Sequence, residues 1–195
     1  QYKMSEINAI SGQAIVIDIQ TSEIKAIVGS GNKQSSSLMR AVSINKALDT
    51  GKVFLSDSVD TGNGVIVLNG DTILDHNWHR GGYGRITLKK GLACESEIAV
   101  QLALDATGVE AVDSLVTPLE MLKLFNGIIK NDSLKSAFRY SITDGLGKPA
   151  SSDKVEVAGF SGRRIISEEY AVEFIGYFPA DEPKYSMIVS MNKVG

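Results

Sequence analysis

The feature that most constrains this chain is its C-terminal third. Val155 to Arg163 is followed by Tyr170 to Ser190, and the two stretches read as three adjacent antiparallel strands. Gly176-Tyr-Phe-Pro-Ala-Asp-Glu-Pro-Lys184 is the connection between the last two. Three such strands cannot bury both of their faces alone, so the rest of the chain must supply partner strands and a cover.

The N-terminal part supplies both. Gln13 to Ile19 and Glu23 to Gly29 are β-branched runs joined by Gln20-Thr-Ser22, which reads as a hairpin. After the loop Gly29 to Ser36, Leu38, Met39, Val42 and Leu48 recur at helical spacing until Gly51 stops the run. Phe54 to Tyr83 is polar and glycine-rich, with strand-like pieces at Val65–Leu68 and Thr72–Leu74. A second helix is expected from about Leu88 to Ala106, ending before Gly108. A third starts at Pro118, with Thr117 as N-cap and Glu120 placed for a capping box, and runs through Phe125 to Ile129. Lys148 to Asp153 links into the final strands. Two strands, three helices and three strands predict an α+β fold (α/β in the broad sense). Its centre is a five-stranded, mainly antiparallel sheet flanked by helices, in a single domain over residues 1–195.

Composition narrows the function. A formal charge of -3 over 195 residues gives no basic field for nucleic acid, and no Lys/Arg stripe appears. No apolar run approaches the roughly 20 residues that span a membrane, and no signal peptide starts at Gln1. A single cysteine, Cys94, allows no internal disulfide and reads as a buried, inert thiol. No cofactor is implied. Asp60-Thr-Gly62 has the aspartic-protease tripeptide without a second copy. His76 and His79 lack further ligands for a metal, and Gly29-Ser-Gly31 and Gly81-Gly-Tyr-Gly84 lack the context of a phosphate loop.

Five segments, in order, resemble the penicillin-binding protein transpeptidase domain. Gln13 to Gly29 is similar to its opening hairpin, and Val59-Asp-Thr-Gly-Asn-Gly64 with Asp75 to the segment after its nucleophile helix. Ile86 to Ala99 resembles the helix entering its second motif, and Val116-Thr-Pro-Leu-Glu-Met-Leu122 with Asn126-Gly127 its Thr-Pro-Leu-Gln-Met helix. Most specific is the Gly176-Tyr-Phe-Pro179 turn and its partner strand. The resemblance implies a β-lactamase/transpeptidase-like fold, reduced in size. Only Thr107 to Val116 precedes the Thr-Pro-Leu helix, where the family inserts a long stretch. The chain also stops at Gly195, before the family's C-terminal helix.

The family works through Ser-x-x-Lys, Ser-x-Asn and Lys-Thr-Gly. The resemblance places the first at Ser37-Leu-Met-Arg40, the second at Glu95-Ser96-Glu97 and the third at Phe160-Ser161-Gly162. Ser37 stands at the nucleophile position, unless the serines merely cap a helix. Arg40 shares its helix face but offers no lone pair, so it cannot act as general base. Glu95 and Glu97 replace donors with acceptors. Either they form a structural ion pair with Arg40, or one serves as a substitute base for Ser37. Ser161 and Gly162 keep the hydroxyl and the close backbone approach, while Phe160 removes the cation and fills its space. Arg163 and Arg164 follow, able to bring charge from another angle or simply to be solvated.

The resemblance therefore implies a domain of peptidoglycan biogenesis in the cell envelope, on the outer side of a bacterial membrane and anchored through another part. Three damaged motifs predict a pseudoenzyme retained for binding a stem peptide or a cell-wall synthesis protein, with its cleft closed by Phe160 and an Arg40–glutamate pair. The competing expectations are a live D,D-transpeptidase or carboxypeptidase, and a β-lactam sensor acylated at Ser37.

Overall fold

The computed structural model describes residues 9–166 and 169–194, so Gln1 and Gly195 lie outside it. The chain begins with the hairpin β1 (Ala9–Asp18) and β2 (Ile24–Ser30), then the short β3 (Gln34–Ser35) and helix α1 (Met39–Asp49). Small ribbons follow in β4 (Ser58–Asp60), β5 (Val65–Leu68), β6 (Asp71–Leu74) and β7 (Arg85–Thr87). Helices α2 (Leu88–Ala93) and α3 (Glu97–Thr107) lead through β8 (Leu115–Val116) to α4 (Pro118–Ile128) and α5 (Asp132–Asp144). The chain closes with β9 (Ala158–Ile166), β10 (Glu169–Phe178) and β11 (Tyr185–Val194).

The N-terminal hairpin and the last three strands form one five-stranded sheet in the order β2-β1-β11-β10-β9, antiparallel throughout. The period of two sorts the residues onto two faces. Ile15, Ile17, Phe160, Ile175, Tyr177 and Ile188 are all buried against the helices. Their alternates Ser161, Val172, Phe174 and Val189 are only half-buried on the opposite face. Under the sheet, Phe125 of α4, Phe138 of α5, Phe160 of β9 and Tyr177 of β10 form one aromatic cluster. Phe138 and Phe160 stack within 8° of parallel at 5.4 Å. Edge strand β9 is thereby fixed to α5, and its other edge is left to the site.

Five helices are present among the described residues, where the sequence predicts three. The additional α5 carries Leu134, Ala137, Phe138, Ser141 and Ile142 on its buried face and is capped by the Asn131 side chain. The expected helix from Leu88 to Ala106 is two, broken at Cys94–Ser96. The break has a cause outside the helix. Asp75, fully buried, accepts bonds from the Ser96 hydroxyl at 2.9 Å and from the Ile98 N–H at 3.0 Å. Ser96 in turn caps α3 by accepting the Ala99 N–H at 3.0 Å. A buried carboxylate satisfied this way fixes a new helix start, and Glu95 turns the corner at φ 57°.

Two further local expectations agree with the structure. Thr117 and Glu120 make the full capping box, and β5 and β6 pair across a tight turn in which Asn69 and Gly70 both have positive φ.

Candidate functional site

The first turn of α1 approaches the sheet at β9 and β10. Ser36, almost fully buried, donates to Glu173 Oε2 at 2.7 Å and accepts the Leu38 N–H at 3.2 Å. Glu173 lies opposite Gly162 in the β9–β10 register, is 3% exposed, and also accepts from the Ser190 hydroxyl at 3.3 Å. This polar bridge ties the lead into α1 to β10 and β11.

Ser37 follows immediately and sits against Gly162, where an added Cβ would fall 2.1 Å from its Oγ. A side chain at position 162 would therefore collide with the hydroxyl, which is why glycine is needed there. The Ser37 Oγ is buried and has no hydrogen-bond partner. Arg40 is one turn on. Its Nε donates to the Ser37 carbonyl at 2.8 Å, which holds the guanidinium beside the serine but engages the backbone.

The residues that the resemblance assigns to the second and third motifs meet each other. Ser161 donates to Glu95 Oε1 at 2.6 Å, joining the α2–α3 corner to β9. Glu97 heads α3 and accepts from Gln101 at 3.2 Å. The expected ion pair of Arg40 with these glutamates is not formed among the described residues, because each of the three groups is engaged elsewhere. Ser96 is turned inward onto Asp75, and Phe160 points into the aromatic cluster, 1% exposed.

Phe160 and an Arg40–glutamate pair do not close the cleft. A groove of about 980 Å³ runs past the site, lined by Arg40, Glu95, Glu97, Ser161, Gly162 and Arg163. It continues over the half-buried Val172 and Phe174 of the sheet. Phe160 fills the space under β9 instead of the space in front of it. Ser37 lines a smaller neighbouring cavity of about 320 Å³ with Arg40, Glu97, Arg163 and Arg164.

Nothing in the order of residues singles out Glu173, His76 or Trp78 as neighbours of this site, yet all three line the groove. His76 lines the groove and its Nε2 lies 3.2 Å from the Tyr83 hydroxyl, which donates to the Cys94 carbonyl at 3.1 Å. Burial lowers the His76 pKa, with Arg163 and Arg40 adding to that effect and Glu95 and Asp75 opposing it. Burial also raises the Cys94 thiol and the Tyr83 hydroxyl, so both stay protonated at neutral pH. His76 contacts Tyr83 while His79 contacts Trp78, so the two rings serve different surfaces.

No protein-family model matches the chain, and no curated protein matches it in sequence. Solved structures do match. The transpeptidase domain of Burkholderia pseudomallei penicillin-binding protein 3 superposes with TM-score 0.83 at 17% identity, covering 99% of this chain and 83% of that one. A peptidoglycan glycosyltransferase from Burkholderia ambifaria gives TM-score 0.83 at 17% identity, with 99% and 85% covered. The D,D-transpeptidase domain of an Eggerthella lenta peptidoglycan glycosyltransferase gives 0.77 at 14%, with 98% and 75% covered. At these identities the likeness is one of fold, and it extends over essentially the whole chain. The protein has the fold of the penicillin-binding protein transpeptidase domain.

Proposed function

We propose that this is a transpeptidase-like domain of peptidoglycan biogenesis that does not acylate at Ser37 and is retained for binding. The observation that carries the reading is the state of the Ser37 hydroxyl, which is buried and has no hydrogen-bond partner. Acylation needs an acceptor for its proton within about 3 Å. The residue one helical turn away is Arg40, a permanent cation whose Nε is bound to the Ser37 carbonyl. The alternative bases are spoken for, Glu95 by Ser161 and Glu97 by Gln101.

The open groove supports a binding role. It offers charged groups at Arg40 and Arg163 and an apolar wall at Val172 and Phe174, a mixture suited to a stem peptide or a peptide segment of a cell-wall synthesis protein. Such a role belongs in the cell envelope, on the extracytoplasmic side, with anchoring through another part of the protein. No described helix is long and apolar enough to cross a membrane.

Intact-mass spectrometry after incubation with a penicillin tests the reading, with Ser37→Ala as control. The expected result is unmodified mass in both proteins. A covalent adduct that disappears in Ser37→Ala would overturn it in favour of a live acyl-transferring enzyme or a β-lactam sensor.

A further inference from the structure

We propose that the open face of the five-stranded sheet docks on the same face of a second copy of this chain, in a two-fold pair. The surface lies apart from Ser37, and the inference goes beyond the reading above without depending on it.

Among the described residues, helices cover one face of the sheet only. Phe125 of α4 and Phe138 of α5 pack against Phe160 and Tyr177, on the side that also buries Ile15, Ile175 and Ile188. On the opposite face the strand register lines the side chains up in rows. One row runs from Phe174 through Val189 and Ala14 to Val28, across β10, β11, β1 and β2. The next runs from Gly176 through Met187 and Val16 to Ala26. Val172 and Met191 stand beside the first row on its other side. None of these side chains is fully buried, and Val28 is 58% exposed. The solvated face of an antiparallel sheet ordinarily alternates to polar residues, so a continuous apolar one marks an interaction surface.

Charge and size identify what covers it. No charged residue stands in these rows. On this face the charges begin at the margins, with Arg163 on β9, Lys193 near the end of β11 and Asp18 at the end of β1. A charged partner finds nothing to pair with in the middle, whereas an uncharged apolar face is complementary to itself. Five strands about 4.8 Å apart, over the seven residues of β2 at about 3.3 Å each, make a face of roughly 24 by 23 Å. Two such faces in contact bury on the order of 1,100 Å², which clears the roughly 1,000 Å² expected of a stable interface. The surface also suits sheet-on-sheet packing. An added Cβ at Gly176 would fall 3.0 Å from the Phe174 ring, so the ring lies along the sheet over the glycine. Met187 and Met191 add side chains that adapt to a facing surface. Because β11 is the central strand, a two-fold axis through the middle of the face passes close to Val189. Val172 and Phe174 also line the groove, so the second copy borders its sheet-side end.

Sedimentation equilibrium of the whole chain at increasing micromolar concentration tests this. The expected particle has twice the 20.9 kDa mass of the chain. Val189→Lys puts an unpaired charge at the centre of the interface and should weaken association at least about hundredfold, with the far-UV dichroism unchanged. Val28→Lys alters a side chain that is exposed in the single chain, so it spares the fold, and it should weaken association at least about tenfold. An equimolar mixture of Val189→Lys and Val189→Glu should recover part of the association, because the two positions meet near the axis. Val67→Lys, on the exposed β5–β6 ribbon, should change nothing. A wild-type chain that stays monomeric at every concentration would overturn the proposal and leave the face to another segment or a different partner. So would a dimer that survives both Val28→Lys and a folded Val189→Lys, or one that Val67→Lys dissociates equally well.

Discussion

His76 shows how a single side chain is set by its surroundings. Its imidazole lies in the groove wall against Tyr83, and partial desolvation there lowers its pKa from the ordinary 6.5 although the residue remains exposed. The folded protein therefore holds it neutral where the unfolded chain has begun to take up a proton. Its contribution to stability is complete above 6.5 and is lost as the pH falls from there through the lower folded value. Melting temperatures recorded from pH 8 down to 5 should fall more steeply in the wild type than in His76→Gln. Parallel curves would mean that the ring is not held neutral by the fold. Ser37 is the second such case at this scale. Its place in Ser37-Leu-Met-Arg40 was legible in the sequence, and so was the fact that Arg40, one helical turn away, cannot accept a proton. That its hydroxyl is enclosed against Gly162 was not, since the enclosing residue is over a hundred positions away.

At the scale of the element, β9 organises the site. One face sends Phe160 into the core, the other carries Ser161 to Glu95, and Gly162 lets the α1 lead pack directly on the strand. Gly162→Ala would place a Cβ 2.1 Å from Ser37 Oγ and 3.2 Å from Leu38 Cδ2. Overpacking of this kind costs about 1–3 kcal/mol. Urea unfolding should show that loss in Gly162→Ala and recovery of much of it in the double variant with Ser37→Gly. Strict additivity of the two changes would place the cost elsewhere. The element boundaries teach a related lesson. The capping box at Thr117 and Glu120 is local, and it was readable as written. The break between α2 and α3 depends on Asp75, contributed by a separate segment, so an uninterrupted apolar run gave no sign of it. Helix α5 was present in the pattern of Leu134, Ala137, Phe138 and Ile142, but its many polar residues obscured the stripe.

Across the whole molecule, the aromatic cluster couples helices to sheet. Phe125, Phe138, Phe160 and Tyr177 come from four elements, and all four side chains are fully buried. Burial without a partner for its hydroxyl also pushes the Tyr177 pKa up to about 12, so the ring stays neutral in the core. Removing one large ring from such a cluster costs about 3–5 kcal/mol. Phe160→Ala should lower stability by that amount in chemical denaturation while leaving the groove's peptide affinity largely unchanged. A loss of affinity as large as the loss of stability would place Phe160 in the groove after all.

The sequence by itself determined the architecture and the side chains on offer at the candidate site. Strand alternation, helix spacing and the Gly176-Tyr-Phe-Pro179 turn are local patterns, and a five-stranded antiparallel sheet with covering helices follows from burying their apolar faces. The identities at positions 40 and 160 likewise supply a permanent cation and an apolar ring wherever they lie. Only the tertiary structure decided what these side chains meet. It turned Glu95 to Ser161 instead of Arg40, put Phe160 beneath β9, and kept the groove open with Arg40 and Arg163 on its wall. These outcomes depend on which of several nearby partners each charged or aromatic group meets, and that choice is made by packing between segments far apart in the chain.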